Sequence, residues 1–431
     1  MSSKSKSPAA DDGGNSTVTP TLRFPEFQDA DGWKETLLQK LARPVTERAT
    51  AGDADNVLSL SGEHGLVLQS DYFGKKIAGD STERYLKIRQ NDFVYNDRTT
   101  KASSFGTIKR LSKYPGGIVS PIYKCFRFHA DENPVFWEWY FESGSHDPAL
   151  GGLVNEGARA GRFNISVTQF LSTKAWRPDE LEQQKIADCL TSANALFEVQ
   201  RRKVEALKAH KKGLMQQVFA QEGETQPRLR FPEFRDAGDW DEVRLRSMGD
   251  LVSGLTYSPD DVQEDGLLVL RSSNIQGGKI DLTDCVYVDP NVRGANLSLP
   301  NDILVCVRNG SAALIGKSAL IPDGMPLCTH GAFMTVFRAH APKFVFQLFQ
   351  TPRYQRQVAG DLGATINSIN GAQFLKYKFL APKPPEQQRI ADCLTSVDDA
   401  IAAESLKLDT LKTHKKGLMQ QLFPSAEDVD A

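Results

Sequence analysis

Glu182-Gln183-Gln184-Lys185-Ile186-Ala187-Asp188-Cys189-Leu190-Thr191-Ser192 returns as Glu386-Gln387-Gln388-Arg389-Ile390-Ala391-Asp392-Cys393-Leu394-Thr395-Ser396, with only Lys185 replaced, by Arg389. The offset is 386 − 182 = 204 residues, and His210 to Gln217 returns unchanged as His414 to Gln421 at the same offset. Upstream, Leu22-Arg23-Phe24-Pro25-Glu26-Phe27 returns as Leu229-Arg230-Phe231-Pro232-Glu233-Phe234, an offset of 229 − 22 = 207 that Trp33 and Trp240 share. The second copy is therefore shorter between its flanks, and most of that interior is rewritten. A solenoid is excluded, because solenoid periods run to only about 20–50 residues. Each half is a near-identical frame around a variable insert. Plain duplication of a domain explains the pairing but not why the frames stayed alike while the inserts diverged.

The frames read as long helices. Apolar residues alternate at spacings of four and three through Ile186, Leu190, Phe197, Val204, Leu207 and Leu214, and again through Ile390, Leu394, Ile401, Leu408, Leu411 and Leu418. Sustained over several heptads without an internal proline, this is a coiled-coil seam. Pro178 and Pro385 precede the helices, and Glu182 and Glu386 suit a first turn. Equivalent surfaces related by a pseudo-twofold axis require the two helices to pack antiparallel, with one variable domain at each end of the rod. Gln200 and Glu404 interrupt the seam near its middle; they either pin the register or point partly to solvent. The basic run Arg201, Arg202, Lys203, Lys208, Lys211 and Lys212 is either a solvated face or a contact for phosphates or an acidic partner helix.

The inserts read as mixed α/β, with strands over Tyr85 to Ile88, Phe93 to Tyr95, Ile303 to Val307 and Met334 to Phe337. Asn91, Asp92, Arg98, Ala102 and Gly106 align without a gap on Asn301, Asp302, Arg308, Ala312 and Gly316, and Phe126-Arg127 matches Phe337-Arg338 one residue further on. One fold with different loops is expected in both. In each insert a hydrophobic strand ends in an arginine and a small polar loop, Arg98-Thr99-Thr100-Lys101 against Arg308-Asn309-Gly310-Ser311. Arginine can bond guanine O6 and N7 bidentately, asparagine can read adenine, and Ser, Thr and Lys can hold phosphate. The candidate DNA contacts are Arg98, Thr99, Thr100, Lys101, Arg159, Arg162 and Asn164 in the first insert. In the second they are Arg271, Ser272, Asn274, Arg308, Asn309, Ser311, Lys317, Asn367 and Asn370. An arginine paired with a nearby carboxylate is the competing reading at each such position.

The 431 residues carry a net charge of −2, so a nucleic-acid role requires local clustering of basic groups or partners that share the phosphate contacts. No run of eighteen apolar residues exists to span a membrane. Cys125, Cys189, Cys285, Cys306, Cys328 and Cys393 form no CxxC pair, which suits half-buried thiols in a cytoplasmic protein. Ser311 to Ser318 falls one glycine short of a phosphate-binding loop, and Asn133-Pro134-Val135-Phe136 falls short of an amino-methyltransferase motif. His64, His129, His146, His330 and His340 form no metal or catalytic pattern. A non-catalytic chain without metal or cofactor is expected.

Pro385-Glu386-Gln387-Gln388-Arg389-Ile390-Ala391 resembles the motif that ends a target-recognition domain in type I restriction–modification specificity subunits. Arg177-Pro178 through Ala187 is its altered first copy, with Asp179-Glu180-Leu181 where the family's proline approach stands. The resemblance covers Leu22 to Phe423. It implies an α+β fold: two similar mixed α/β target-recognition domains joined by a pair of long antiparallel coiled-coil helices with pseudo-twofold symmetry. The expected division is a disordered tail at 1–20, a first recognition domain at 21–177, a first spacer helix at 178–220 and a linker at 221–228. A second recognition domain at 229–383, a second spacer helix at 384–424 and an acidic tail at 425–431 complete it. The resemblance implies double-stranded DNA, two methyltransferase subunits and restriction/translocase subunits as partners, with S-adenosylmethionine, ATP and magnesium held by those partners. A coiled-coil adaptor that does not bind DNA is the alternative.

Overall fold

The computed structural model describes residues 17–50, 53, 56–73, 82–100, 103–153, 164–362 and 367–425. The chain folds as two compact units, residues 1–200 with 407–431, and residues 201–406. Glu180–Val218 and Pro384–Leu422 are helices of 39 residues each, about 58 Å at the α-helical rise. The division into units falls within both helices, so neither is a free-standing spacer segment.

The two helices start differently. Asp179 accepts the backbone N–H of Glu182 at 2.8 Å, a side-chain cap on the first helix. The second helix instead opens with Pro384 and Pro385 in its first turn, where a missing N–H costs nothing. This accounts for the altered approach in the first copy.

Within the first unit, Ile186 and Leu190 share a core with Leu422 and Phe423, and Lys415 Nζ donates to Asn194 Oδ1 at 2.6 Å. Within the second, Ile390 and Leu394 share a core with Val218 and Phe219, and Lys211 Nζ meets Asp398 at 2.8 Å. The early turns of one helix thus lie beside the late turns of the other, which is antiparallel pairing. Phe197, Leu207, Leu214, Ile401, Leu408, Leu411 and Leu418 are half-buried on this seam, and Val204 is buried. Glu404 is only 13% exposed and pairs with Lys203 at 3.1 Å, so it faces the partner helix rather than open solvent. The basic run is in part internally matched: Arg201 bonds Glu205 at 2.7 Å, and Lys211 also donates to Gln350.

The repeated Leu-Arg-Phe-Pro-Glu-Phe segment is a clamp on the helix ends. In the first unit Leu22 N–H donates to Gln421 O at 2.9 Å, while Arg23 grips Glu182 through Nε (2.8 Å) and a terminal nitrogen (2.7 Å). In the second, Leu229 N–H donates to Gln217 O at 2.9 Å and Arg230 grips Glu386 through two bonds of 2.8 Å. Both arginines also donate to backbone carbonyls, of Ala30 and Asp31 and of Ala237 and Gly238. A planar fork with five donors suits such a site; lysine does not. Around each fork Glu26 pairs with Lys185 and Glu233 with Arg389, and each cation also lies over a ring, Phe24 or Phe231. The one substitution in the repeated helix motif therefore preserves both contacts.

Each unit carries the same antiparallel sheet. In the first the order is Ala42–Pro44, Lys124–Phe128, Phe93–Asn96, Thr107–Arg110; in the second it is Gly249–Ser253, Met334–Ala339, Ile303–Cys306, Ser318–Leu320. A second sheet has one parallel pair in each, Val57–Ser61 with Gly116–Val119 and Leu267–Leu270 with Cys328–His330. Its edge differs: a hairpin to Gly65–Leu68 in the first unit, and Val262–Gln263 with Tyr287–Val288 in the second. The aligned Asn-Asp pairs are scaffold. Asn91 and Asn301 take left-handed φ of 71° and 67°, a region asparagine tolerates better than most residues. Asp92 and Asp302 are buried, each accepting a backbone N–H (Arg89, Leu299) and a forked bond from Arg127 or Arg338.

The expected disordered tail does not extend through residue 20. Thr17–Val18 pairs with Trp33–Leu37 as a strand, and Val18 is buried. Residues 1–16 and 426–431 lie outside the described residues.

Candidate nucleic-acid interface

In the second unit, three segments that are far apart in the chain converge at one end of the sheet. The strand Ile303–Cys306 runs out into Val307 and Arg308, whose N–H groups both donate to Phe333 O, at 3.1 and 3.0 Å. Asn309 ties the loop down: its amide donates to Ser272 Oγ at 3.1 Å, its Oδ1 accepts Ser311 N–H at 3.0 Å, and its N–H donates to Asn367 O. Asn367 returns a bond to Gly310 O at 3.0 Å. Gly316, at φ 79°, closes the loop where a Cβ would meet Val358 at 2.9 Å. The backbone is thus fixed from both sides while Arg308 stays exposed. Its guanidinium lies 5.8 Å from the centre of the Phe333 ring, and among the described residues it has no carboxylate partner.

Four predicted contacts are assigned other work. Asn274 is fully buried: it accepts Arg271 N–H at 2.9 Å and donates to the carbonyls of Asp281 and Asp284. Asn370 caps the short helix Gly371–Phe374, accepting Ala372 N–H at 2.8 Å, as Ser166 caps Val167–Leu171 in the first unit. Arg271 is half-buried and paired with Asp284 at 2.8 Å. Asn309 spends its amide on the loop itself. Ser311 and Lys317 remain on the loop, exposed and half-buried respectively.

Arg98 occupies the matching place in the first unit and is exposed, with its N–H donating to Asn96 Oδ1 at 3.2 Å. Thr99 is half-buried, and Thr100 exchanges backbone bonds with Ser103 at 3.0 and 3.2 Å. Beneath this loop Asp97 is buried and meets Lys124 at 2.6 Å. The second unit has Val307 and Thr335 at those two places. Asn164 is exposed at φ 53°. Lys101, Arg159 and Arg162 lie outside the described residues.

Two histidines are buried structural groups. His330 is buried beneath the Phe333 turn, bonded to Ser298 and to Val252 O at 2.9 Å each, and burial holds it below the ordinary imidazole range. His146 sits among Tyr140, Phe141 and Phe170, bonded to Thr173, and burial lowers it to about 3. Among the described residues no cluster of His, Cys, Asp or Glu could hold a metal ion, and no helix is long and apolar enough to cross a membrane.

Sequence reasoning missed Phe333, which is 59% exposed. It lies in the run Ala332-Phe333-Met334, which reads as the start of an apolar strand; no residue type there signals exposure.

The family model for the type I restriction modification DNA specificity domain matches residues 237–413. The likeness in sequence to that domain is thus confined to the second unit and the helix that follows it. The match runs through the second unit's sheets and loops and into the second long helix. Relatives include the type I restriction enzyme StySPI specificity subunit of Salmonella potsdam, 28% identical over 197 residues, 43% of this chain and 42% of that protein. The EcoKI specificity subunit of Escherichia coli (strain K12) is 31% identical over 199 residues, again 43% and 42%. The chain thus spans less than half the length of these curated relatives in the match. In fold the likeness extends further. The crystal structure of a type I restriction-modification system S subunit from M. genitalium superposes with a TM-score of 0.59 at 13% identity, covering 95% of this chain and 100% of that one. A chain from a study of complex assembly and conformational transition of the type I R-M system gives 0.50 at 18% identity, covering 91% and 98%.

Proposed function

We propose that this chain is the sequence-specific DNA-binding specificity subunit of a type I restriction–modification complex, reading a bipartite asymmetric site with one half-site per recognition unit. The observation that carries this is the pairing of two recognition units on matching clamps, each presenting an exposed arginine from equivalent but differently furnished loops. In this reading the long helices set the unread spacer, and two methyltransferase subunits and the restriction/translocase subunits join the chain in the cytoplasm. S-adenosylmethionine, ATP and magnesium belong to those partners, and the chain itself is non-catalytic.

The test is genome-wide adenine methylation in cells expressing the chain with its cognate methyltransferase subunit. A bipartite methylated motif that vanishes when either protein is omitted is expected. A soluble complex that methylates no motif, and shows no salt-dependent binding to duplex DNA, would leave the adaptor role instead.

A further inference from the structure

Phe333 stands out among the large apolar side chains because it is exposed at the converged loops, where its backbone is already fixed. Its carbonyl accepts Val307 and Arg308 N–H, and Met334 N–H donates to Gly331 O across the turn at 2.8 Å. The ring is therefore not needed to hold its own segment. Its only ring contact among the described residues is the Arg308 guanidinium at 5.8 Å. An arginine leaning on an aromatic face is preorganised for planar recognition and loses little freedom on binding.

We propose that Arg308 and Phe333 act as one reader of a guanine–thymine step in the major groove, with Phe333 packed on the thymine C5-methyl group. This rests on the DNA-reading function proposed above. Guanine is the base whose major-groove edge accepts two parallel bonds from an arginine fork. The thymine methyl is the apolar group on that same groove wall, so an edge-on ring has one natural partner there. The 5.8 Å between ring and guanidinium is under two base-pair rises of about 3.4 Å, which places the two contacts on neighbouring pairs. Insertion of the ring into the base stack fits less well, because such wedges enter from the minor groove, away from the guanine O6 and N7 edge.

The first unit has counterparts to both residues by alignment, although Arg98 N–H donates to Asn96 Oδ1 there. Under the match of Phe126-Arg127 to Phe337-Arg338, Phe333 corresponds to residue 333 − 211 = 122, and Ile122 is likewise exposed, at 49%. Arg98 is exposed in its unit as Arg308 is in the other. Each half thus offers one arginine and one apolar side chain, aliphatic in the first and aromatic in the second.

The experiment enriches binding sites from a randomised duplex pool with the full chain bound to its cognate methyltransferase subunit. Each thymine of the half-site assigned to the second unit is then replaced by deoxyuridine, which removes only the methyl group. One position is expected at which uracil weakens wild-type binding about fourfold, equivalent to about 0.8 kcal/mol for one buried methyl-sized group. Phe333→Ala should bind the thymine site about as weakly as wild type binds the uracil site, and should not distinguish the two; Phe333→Leu should retain part of the difference. Arg308→Ala should lose the guanine preference at the adjacent pair. Uracil without effect at every thymine, or a uracil penalty unchanged in Phe333→Ala, overturns the inference while leaving DNA reading intact. A pool that enriches no sequence overturns both.

Discussion

Two arginines of the second unit, Arg230 and Arg308, show what separates a frame residue from a candidate reader. Both recur at equivalent places in the first unit, as Arg23 and Arg98, so recurrence alone does not sort them. Arg230 is buried, its side chain 7% exposed, with a carboxylate and two carbonyls filling its fork. Arg308 is exposed, with its backbone pinned and its fork unfilled by any carboxylate among the described residues. A satisfied buried arginine spends its hydrogen bonds on the fold. An unsatisfied one on a rigid loop has them available for a ligand.

That contrast can be broken at several levels. The largest effect is expected from Arg230→Ala or Glu386→Ala, because removing one partner strands the other as a buried charge, at about 3–5 kcal/mol. Denaturant unfolding followed by the fluorescence of Trp240, which is buried beside Glu386, should show the loss; Arg230→Met with Glu386→Leu should recover much of it. Arg308→Ala should leave that unfolding curve in place. Its cost should appear as discrimination at one base pair, about 1–3 kcal/mol, measured by competition between single-base variants of the site. Asn370→Ala sits between the classes: loss of its cap should cost about 1 kcal/mol of stability with the base preference unchanged. The smallest effect belongs to the seam. Glu404→Leu removes a pair whose lysine is 54% exposed, and should shift unfolding by under about 1 kcal/mol. If Glu404 and Gln200 pin the register, replacing both with leucine should instead yield mixed oligomeric states in light scattering.

Much of the frame was legible because repetition marks it. The helices follow from apolar spacing, and the shared sheet follows from the ungapped match around Asn91 and Asn301. The clamp's chemistry was not legible: Arg23 and Glu182 are 159 residues apart, and nothing in a single sequence pairs them. At the candidate interface, Arg98 and Arg308 could be found by alignment of the two halves. Asn274 closes a turn and Asn370 caps a helix, roles that the sequence did not separate from base reading because the same amide serves all three. Phe333 was missed for the converse reason. Apolar residue types say where a core can form, and a ring left outside it carries no mark in the sequence.

On the proposed function, the two equivalent frames carry readers that act independently. The most direct measurement is the methylated motif produced after residues 229–383 are exchanged for the corresponding insert of a relative with a different target. One half of the bipartite motif should change while the other half stays. A change in both halves, or in neither, would contradict the independence of the two units.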